Sequence, residues 1–82
     1  MTLTRIKVVT GHTAFSRFLS EVSDDPIGCI PRQPDIPSPY AYSPTHYVYS
    51  WNGRQIITVE TRHMRHEVYE VSGKIDPCPV QS

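Results

Sequence analysis

Four stretches of this 82-residue chain combine β-branched or aromatic residues with polar ones in the short runs that are typical of strands. In the first stretch Ile6 and Val8 share one face, while Arg5 and Lys7 share the other. A turn near residues 63–65 separates the last two stretches, although a single bulged strand is also compatible with the residues there. The pattern predicts strands over residues 3–10, 46–51, 54–62 and 67–71.

A helical spacing follows the first strand. Four apolar residues recur at positions i, i+3, i+4 and i+7 and so form one core-facing stripe: Phe15, Phe18, Leu19 and Val22. Thr13 is the predicted N-cap, because its hydroxyl can accept a hydrogen bond from an amide of the first turn. The helix is predicted to end near Ser23, since the sequence Asp-Asp-Pro follows at 24–26.

Asn52 and Gly53 form the residue pair that a type I′ hairpin turn requires, because both central positions have positive φ. This turn sets a register in which Trp51 opposes Arg54, Tyr49 opposes Ile56 and Tyr47 opposes Thr58. One face of the ribbon is then aliphatic and is predicted to pack against the helix: Val48, Ile57 and Val59. The aromatic face is predicted to lie on the far side of the sheet: Tyr47, Tyr49, Trp51 and Ile56.

Residues 26–45 form a proline-rich connecting loop, and residues 74–82 form a tail with Asp-Pro-Cys-Pro at 76–79. Pro31, Pro34 and Pro37 recur at the three-residue spacing of polyproline II. Either a stiff crossover or a recognition segment fits this composition. The order β-α-loop-β-β-β predicts one small α+β domain over residues 1–82, with one amphipathic helix on a mostly antiparallel sheet.

Composition narrows the possible partners. Eight basic and eight acidic residues cancel, so no long-range field attracts the chain to nucleic acid or to an acidic membrane. No segment has the apolar length of a membrane span or of a signal peptide. Cys29 and Cys78 are too few for a disulfide framework, and whether they are free, bridged or metal-bound stays open. We expect a cytoplasmic location and no membrane partner.

Residues with reactive side chains are present, but the sequence does not bring them together. A zinc site could draw on both cysteines and four histidines, yet the usual ligand spacings are absent: His12, Cys29, His46, His63, His66 and Cys78. A nucleophilic site would need Cys29, His46 and Asp35 to converge. We therefore predict no catalytic residue, no metal ligand and no cofactor.

Two surfaces are candidates for binding. A basic cluster, with flanking glutamates, is interpreted as a solvated turn or a phosphate contact: Arg62, His63, Arg65 and His66. The aromatic ribbon face is the stronger candidate, because Tyr and Trp are enriched in binding hot spots. The proline-rich loop, with Tyr40 and Tyr42, could instead cover that face.

These features predict a non-catalytic protein-binding module for a larger protein or protein complex, with these contact residues: Tyr47, Tyr49, Trp51, Arg54, Ile56, Arg62 and Arg65. One alternative is a single-stranded nucleic-acid-binding domain in which the aromatic face provides stacking platforms. Another is a small zinc-stabilised interaction domain. The oligomeric state is not determined by the sequence.

In length and in its strand, helix and hairpin layout, the chain resembles the short inhibitors that phages encode against host defences, including anti-CRISPR proteins. The resemblance concerns layout and rests on no diagnostic residue. It implies an inhibitor of a larger host protein and assigns a role to no residue of this chain.

Overall fold

The computed structural model describes residues 1–34, 36 and 45–78. Within these residues one α-helix and five strands follow in this order: β1 (Thr2–Thr10), α1 (His12–Leu19), β2 (Gly28–Pro31), β3 (Thr45–Trp51), β4 (Arg54–Glu60) and β5 (Arg65–Ser72). The described strands form an antiparallel sheet in the order β1-β5-β4-β3-β2. The predicted α+β class is confirmed, with α1 packed on the sheet.

The hairpin turn between β3 and β4 has the predicted conformation. Asn52 has φ 52° and Gly53 has φ 75°, as a type I′ turn requires. Trp51 opposes Arg54 and Tyr49 opposes Ile56, so the predicted register is confirmed at these two pairs. This local sequence therefore determines both the turn and the alignment of its two strands.

The faces of the hairpin are the reverse of the prediction. Ile56 is buried beneath α1 together with Phe18, and the rings of Tyr49 and Trp51 pack around them. Val48, Ile57 and Val59 instead lie in a second core with Ile30, Ile36 and Val71, on the sheet face opposite the helix. Both sides of this ribbon have apolar side chains that pack in a core, so alternation alone did not determine which side the helix occupies.

The helix is shorter than its apolar stripe predicts. It begins after Gly11, without a side-chain cap, so the N-cap assignment to Thr13 was wrong. It ends at Leu19 because the next amides bond three residues back: Glu21 N–H to the Phe18 carbonyl (3.0 Å) and Val22 N–H to the Leu19 carbonyl (3.1 Å). The side chain of Val22 is still buried in the 3₁₀-like turn that these two bonds form, but the side chain of Leu19 is exposed to solvent.

A bulge in β1 overturns the predicted faces of that strand. Arg5 opposes Tyr69 and Lys7 opposes Val68, so Ile6 is the extra residue. Because of the inserted residue, each later residue of β1 lies on the sheet face opposite to the one that simple alternation predicts. Val9 is consequently buried beneath α1, whereas Val8, predicted to share a face with Ile6, is exposed.

The predicted loop over residues 26–45 contains a strand, β2, which pairs with β3 at the edge of the sheet. Its position is secured from the C-terminal side, where Cys29 N–H donates to the Asp76 carbonyl (2.8 Å) and Asp76 N–H donates to the Cys29 carbonyl (3.2 Å). Cys29 also forms a disulfide with Cys78. Of the three prolines at the predicted polyproline spacing, Pro31 lies in β2 and Pro34 follows it, whereas Pro37 falls outside the described residues. Tyr40 and Tyr42 also fall outside them, and with them the predicted coverage of the aromatic face.

The connection from β4 to β5 is a turn, as predicted, and not a bulged strand. A single 3₁₀ turn spans Arg62–Met64, and both His63 (φ 61°) and Met64 (φ 59°) adopt the left-handed conformation. The Met64 carbonyl accepts a hydrogen bond from Gly11 N–H (3.0 Å), which joins this turn to the corner between β1 and α1. Among the described residues no helix has the length and apolar character needed to cross a bilayer.

Candidate protein-binding surfaces

The predicted aromatic patch is mostly inside the fold. Ile56 has no exposed surface, so a partner cannot contact it. The Trp51 ring packs on Phe18 with 5.1 Å between ring centroids, and Tyr49 is half-buried in the same cluster. Tyr47 is the exception, because it remains exposed. The rings predicted to bind a partner therefore contribute largely to the attachment of the helix.

The predicted basic contacts lie at two separate ends of β4. Arg54 follows the hairpin turn, where its Nη1 lies 3.6 Å from Glu70 Oε1. Arg62 and Arg65 lie beyond the other end and line an open cleft of about 500 Å³ with Thr61, His63 and Glu67. Arg54 therefore does not share a surface with the other two arginines.

Glu67 partly neutralises this cleft. Its carboxylate lies 3.5 Å from Arg5 Nη1 and 3.4 Å from Arg65 Nε, and it accepts a hydrogen bond from the Tyr69 hydroxyl at 2.7 Å. Burial, and then the hydrogen bond to Glu67, raise the pKa of Tyr69 above its usual range. A phosphate in this cleft would have to compete with the Glu67 carboxylate, which already pairs with Arg5 and Arg65.

His66 does not belong to the predicted basic cluster. Its ring stacks on Phe15 with 3.6 Å between centroids and lies buried on the helix side of the sheet. His63 is exposed in the turn. The exposed cluster therefore consists of Arg62, His63 and Arg65, because alternation along β5 turns His66 inward.

The two cysteine sulfurs are joined to each other. While the Cys29–Cys78 bond exists, neither sulfur is available as a zinc ligand or as a nucleophile. Within the described part of the chain, no three His, Cys, Asp or Glu side chains converge as a metal site would require.

A groove that the sequence did not reveal lies beside the C-terminal end of α1. It measures about 360 Å³ and is lined by Phe15, Leu19, Val22, Ser23, Asp24, Tyr49 and Thr58. We call it the apolar groove. It exists because α1 is only about two turns long and leaves the middle of the hairpin face uncovered.

Three large apolar side chains remain exposed in and beside the apolar groove. Leu19 is 43% exposed, Tyr47 is 43% exposed and Ile27 is 49% exposed. Tyr47 lies two residues before the groove residue Tyr49 on the same face of β3. Ile27 lies directly before β2, and its N–H donates to the Val48 carbonyl (2.7 Å), which places it alongside β3.

The rim of the apolar groove is acidic. Asp24 lines the groove and Asp25 follows it, and both are exposed. Neither carboxylate forms an ion pair with any residue that the structure describes. The groove therefore combines an apolar floor with two uncompensated negative charges.

His46 is a partly buried titratable group beside the second core. It lies on β3 opposite Ile30, and its Nε2 is buried without a hydrogen-bond partner among the described residues. Burial, and secondarily the charge of Arg32, lower the pKa of His46 below its usual value.

This environment predicts acid sensitivity. Because His46 binds a proton less readily in the folded state than in the unfolded state, the free energy of unfolding should fall as pH decreases below about 6.5, the ordinary value for histidine. The slope from this one group is at most about 1.4 kcal/mol per pH unit. Urea unfolding between pH 7 and pH 5 should show a smaller slope for His46→Gln than for the wild type. Identical slopes would contradict this assignment.

Comparison with known proteins gives no match to a family model, to a curated protein or to a solved structure. The function is therefore inferred from the surfaces described above.

Proposed function

We propose that this protein is a non-catalytic protein-binding module whose apolar groove holds an apolar side chain of a partner protein. The supporting observation is the short helix, which leaves Leu19, Tyr47 and Ile27 exposed around a groove beside the hairpin. Exposed apolar surface with a polar rim is typical of interaction sites. Tyr47 provides an aromatic contact of the kind enriched in binding hot spots.

The charge of the rim indicates which partner segment fits. Asp24 and Asp25 have no described cationic partner, so a ligand with Lys or Arg beside its apolar anchor would compensate them. Rim charges of opposite sign mainly accelerate association and select against wrong partners. The proposed ligand is therefore a segment of a larger protein with a leucine- or phenylalanine-sized anchor flanked by basic residues.

An inhibitor of a larger host protein is the form of this function that the layout of the chain favours. The nucleic-acid alternative is less favoured, because Tyr49 and Trp51 are partly buried against the core beneath α1, and among the described residues only Tyr47 offers an exposed ring on that face. The cytoplasmic location stays a prediction, and the Cys29–Cys78 bond counts against it, because cytosolic reductants keep most thiols reduced.

Peptides selected from a random display library on the immobilised protein test this proposal. We expect enriched sequences with one large apolar residue beside Lys or Arg. Leu19→Asp should weaken the best peptide at least tenfold, about 1.4 kcal/mol, because it places a charge in the apolar groove. Its unfolding free energy should stay within about 1 kcal/mol of the wild type, since Leu19 is a surface residue.

Met64→Asp is the matched control. Met64 is 46% exposed but lies in the turn between β4 and β5, away from the groove residues. This variant should bind the selected peptides as the wild type does. Equal affinity of the peptides for the wild type and for Leu19→Asp would overturn the proposal.

A further inference from the structure

We infer that the protein has a second binding surface, a groove along the open edge of β1 that accepts an extended acidic peptide by strand addition. We call it the edge groove. It measures about 290 Å³, and one wall consists of the consecutive residues 7–10 of β1. The other wall consists of Ala14, Arg17, Phe18 and Glu21, from α1 and the turn after it. The edge groove and the apolar groove lie on different flanks of the helix.

The lining residues show that the groove follows the strand backbone. A pocket on one face of a strand is lined by alternate residues, whereas this one is lined by four residues in succession. On the helix side the lining residues are spaced i, i+3, i+4 and i+7, which is one stripe along α1 and the turn after it. The space between them is therefore a channel that runs along the edge.

Within residues 1–34, 36 and 45–78, the backbone of β1 is open on this side. β1 is the terminal strand of the described sheet and pairs only with β5 there. An edge strand directs alternate N–H and C=O groups away from the sheet, and an extended peptide can pair with them. A helix beside such an edge confines the peptide to the strand direction.

The positive charge of the edge groove favours an acidic peptide. Lys7 opposes Val68, which is in the core beneath α1, so Lys7 lies on the helix side of the strand, where Arg17 also lines the groove. Neither cation forms an ion pair with a described carboxylate. Glu21 contributes one negative charge to the lining, which leaves the groove with a net positive charge.

A second copy of this chain fits less well. β1 contains Arg5 and Lys7 and no acidic residue, so two copies paired along this edge would bring like charges together. An acidic strand instead compensates Lys7 and Arg17. Because alternate side chains of an added strand point to opposite faces, its acidic residues belong on the helix side and apolar ones beside the exposed Val8.

The test uses a dye-labelled peptide of sequence Thr-Val-Glu-Val-Glu-Val-Thr and the full chain. We expect saturable binding, with NMR shift changes at the amides of residues 7–10 and 14–21. A Lys-for-Glu version of the peptide should bind at least tenfold more weakly. A version with alternate backbone amides methylated should not bind, since it cannot donate to the edge.

Lys7→Glu combined with Arg17→Glu is the matched protein variant. Both residues are exposed and unpaired among the described residues, so the variant should remain folded. The thermal unfolding midpoint should fall by only a few degrees, because Arg17 lies in the last turn of α1, where a negative charge is unfavourable. The binding preference should reverse towards the Lys peptide. Equal binding of the two peptides, or shift changes confined to the apolar groove, would overturn the inference. Dimer formation in sedimentation experiments with protection of amides 7–10 would also overturn it, since a second copy would then occupy the edge.

Discussion

Reduction of the Cys29–Cys78 disulfide is expected to lower the free energy of unfolding by about 4 kcal/mol. The two cysteines are separated by 49 residues along the chain. The bond restricts the unfolded chain to conformations that keep this loop closed, so its reduction raises the entropy of the unfolded state and stabilises that state by about 4 kcal/mol. Domains of this size commonly have a stability of only about 5–15 kcal/mol. The bond therefore accounts for a large share of the stability.

The position of the disulfide adds a second reason for a large effect. It fastens the segment after β5 to β2, where Asp76 and Cys29 exchange backbone hydrogen bonds. Ile75 in this segment packs on the second core. Without the bond, release of this segment would uncover that core.

Urea unfolding followed by circular dichroism, with and without reductant, measures the effect. The double variant Cys29→Ala and Cys78→Ala is the control, and it should match the reduced wild type while not responding to reductant. An unfolding midpoint of the wild type that reductant does not change would contradict the prediction.

Phe18→Ala is expected to cost about 3–5 kcal/mol, because it removes a buried aromatic ring and leaves a cavity. Phe18 is the fully buried residue of α1 and contacts Trp51 in the core beneath the helix. Since the described contacts of α1 with the sheet depend on this core, the helix should lose its fixed position as well. Chemical unfolding gives the free energy, and Trp51 fluorescence should shift to the red as its ring becomes hydrated.

Leu19→Ala is the matched control on the same helix. Its side chain is exposed, so the substitution should cost less than about 1 kcal/mol, although the spacing of apolar residues assigns Leu19 and Phe18 to one stripe. A cost for Leu19→Ala close to that for Phe18→Ala would mean that the helix is rotated relative to the structure described here.

Local chemistry was enough to predict the fold class and the hairpin. Asn52 and Gly53 are among the few residue pairs that adopt positive φ at both positions, so the turn and its register follow directly from them. The apolar spacing around Phe15 and Phe18 likewise predicted a helix packed on the sheet. Such features depend on residues within one or two turns of each other.

The faces of the strands could not be predicted because they depend on contacts between distant segments. Which side of the hairpin meets the helix depends on what covers the other side, and Ile30, Ile36 and Ile75 are remote from the hairpin in sequence. The bulge at Ile6 is fixed by pairing with β5, about sixty residues later, and no local signal marks it.

The candidate site was affected by the same difficulty. Trp51 and Ile56 were predicted to bind a partner because they share the aromatic face of the hairpin, which resembles a binding hot spot. Large apolar side chains on such a face can equally fill the space beneath a helix, as these two do. The apolar groove follows from the early end of α1 at Leu19. That end depends on two backbone hydrogen bonds, from Glu21 N–H to the Phe18 carbonyl and from Val22 N–H to the Leu19 carbonyl, which the apolar spacing does not indicate.

The bulge at Ile6 also bears on how this protein avoids aggregation. A long, regular edge strand is a template for stacking chains into fibres, and natural proteins interrupt such edges with irregularities and positive charges. Here the interruption divides β1 into two short ladders, each bordered by a cation, Arg5 or Lys7. Neither ladder reaches the six or seven residues typical of a fibre-forming segment, so we expect the bulge and the two cations to disfavour self-propagating growth along this edge.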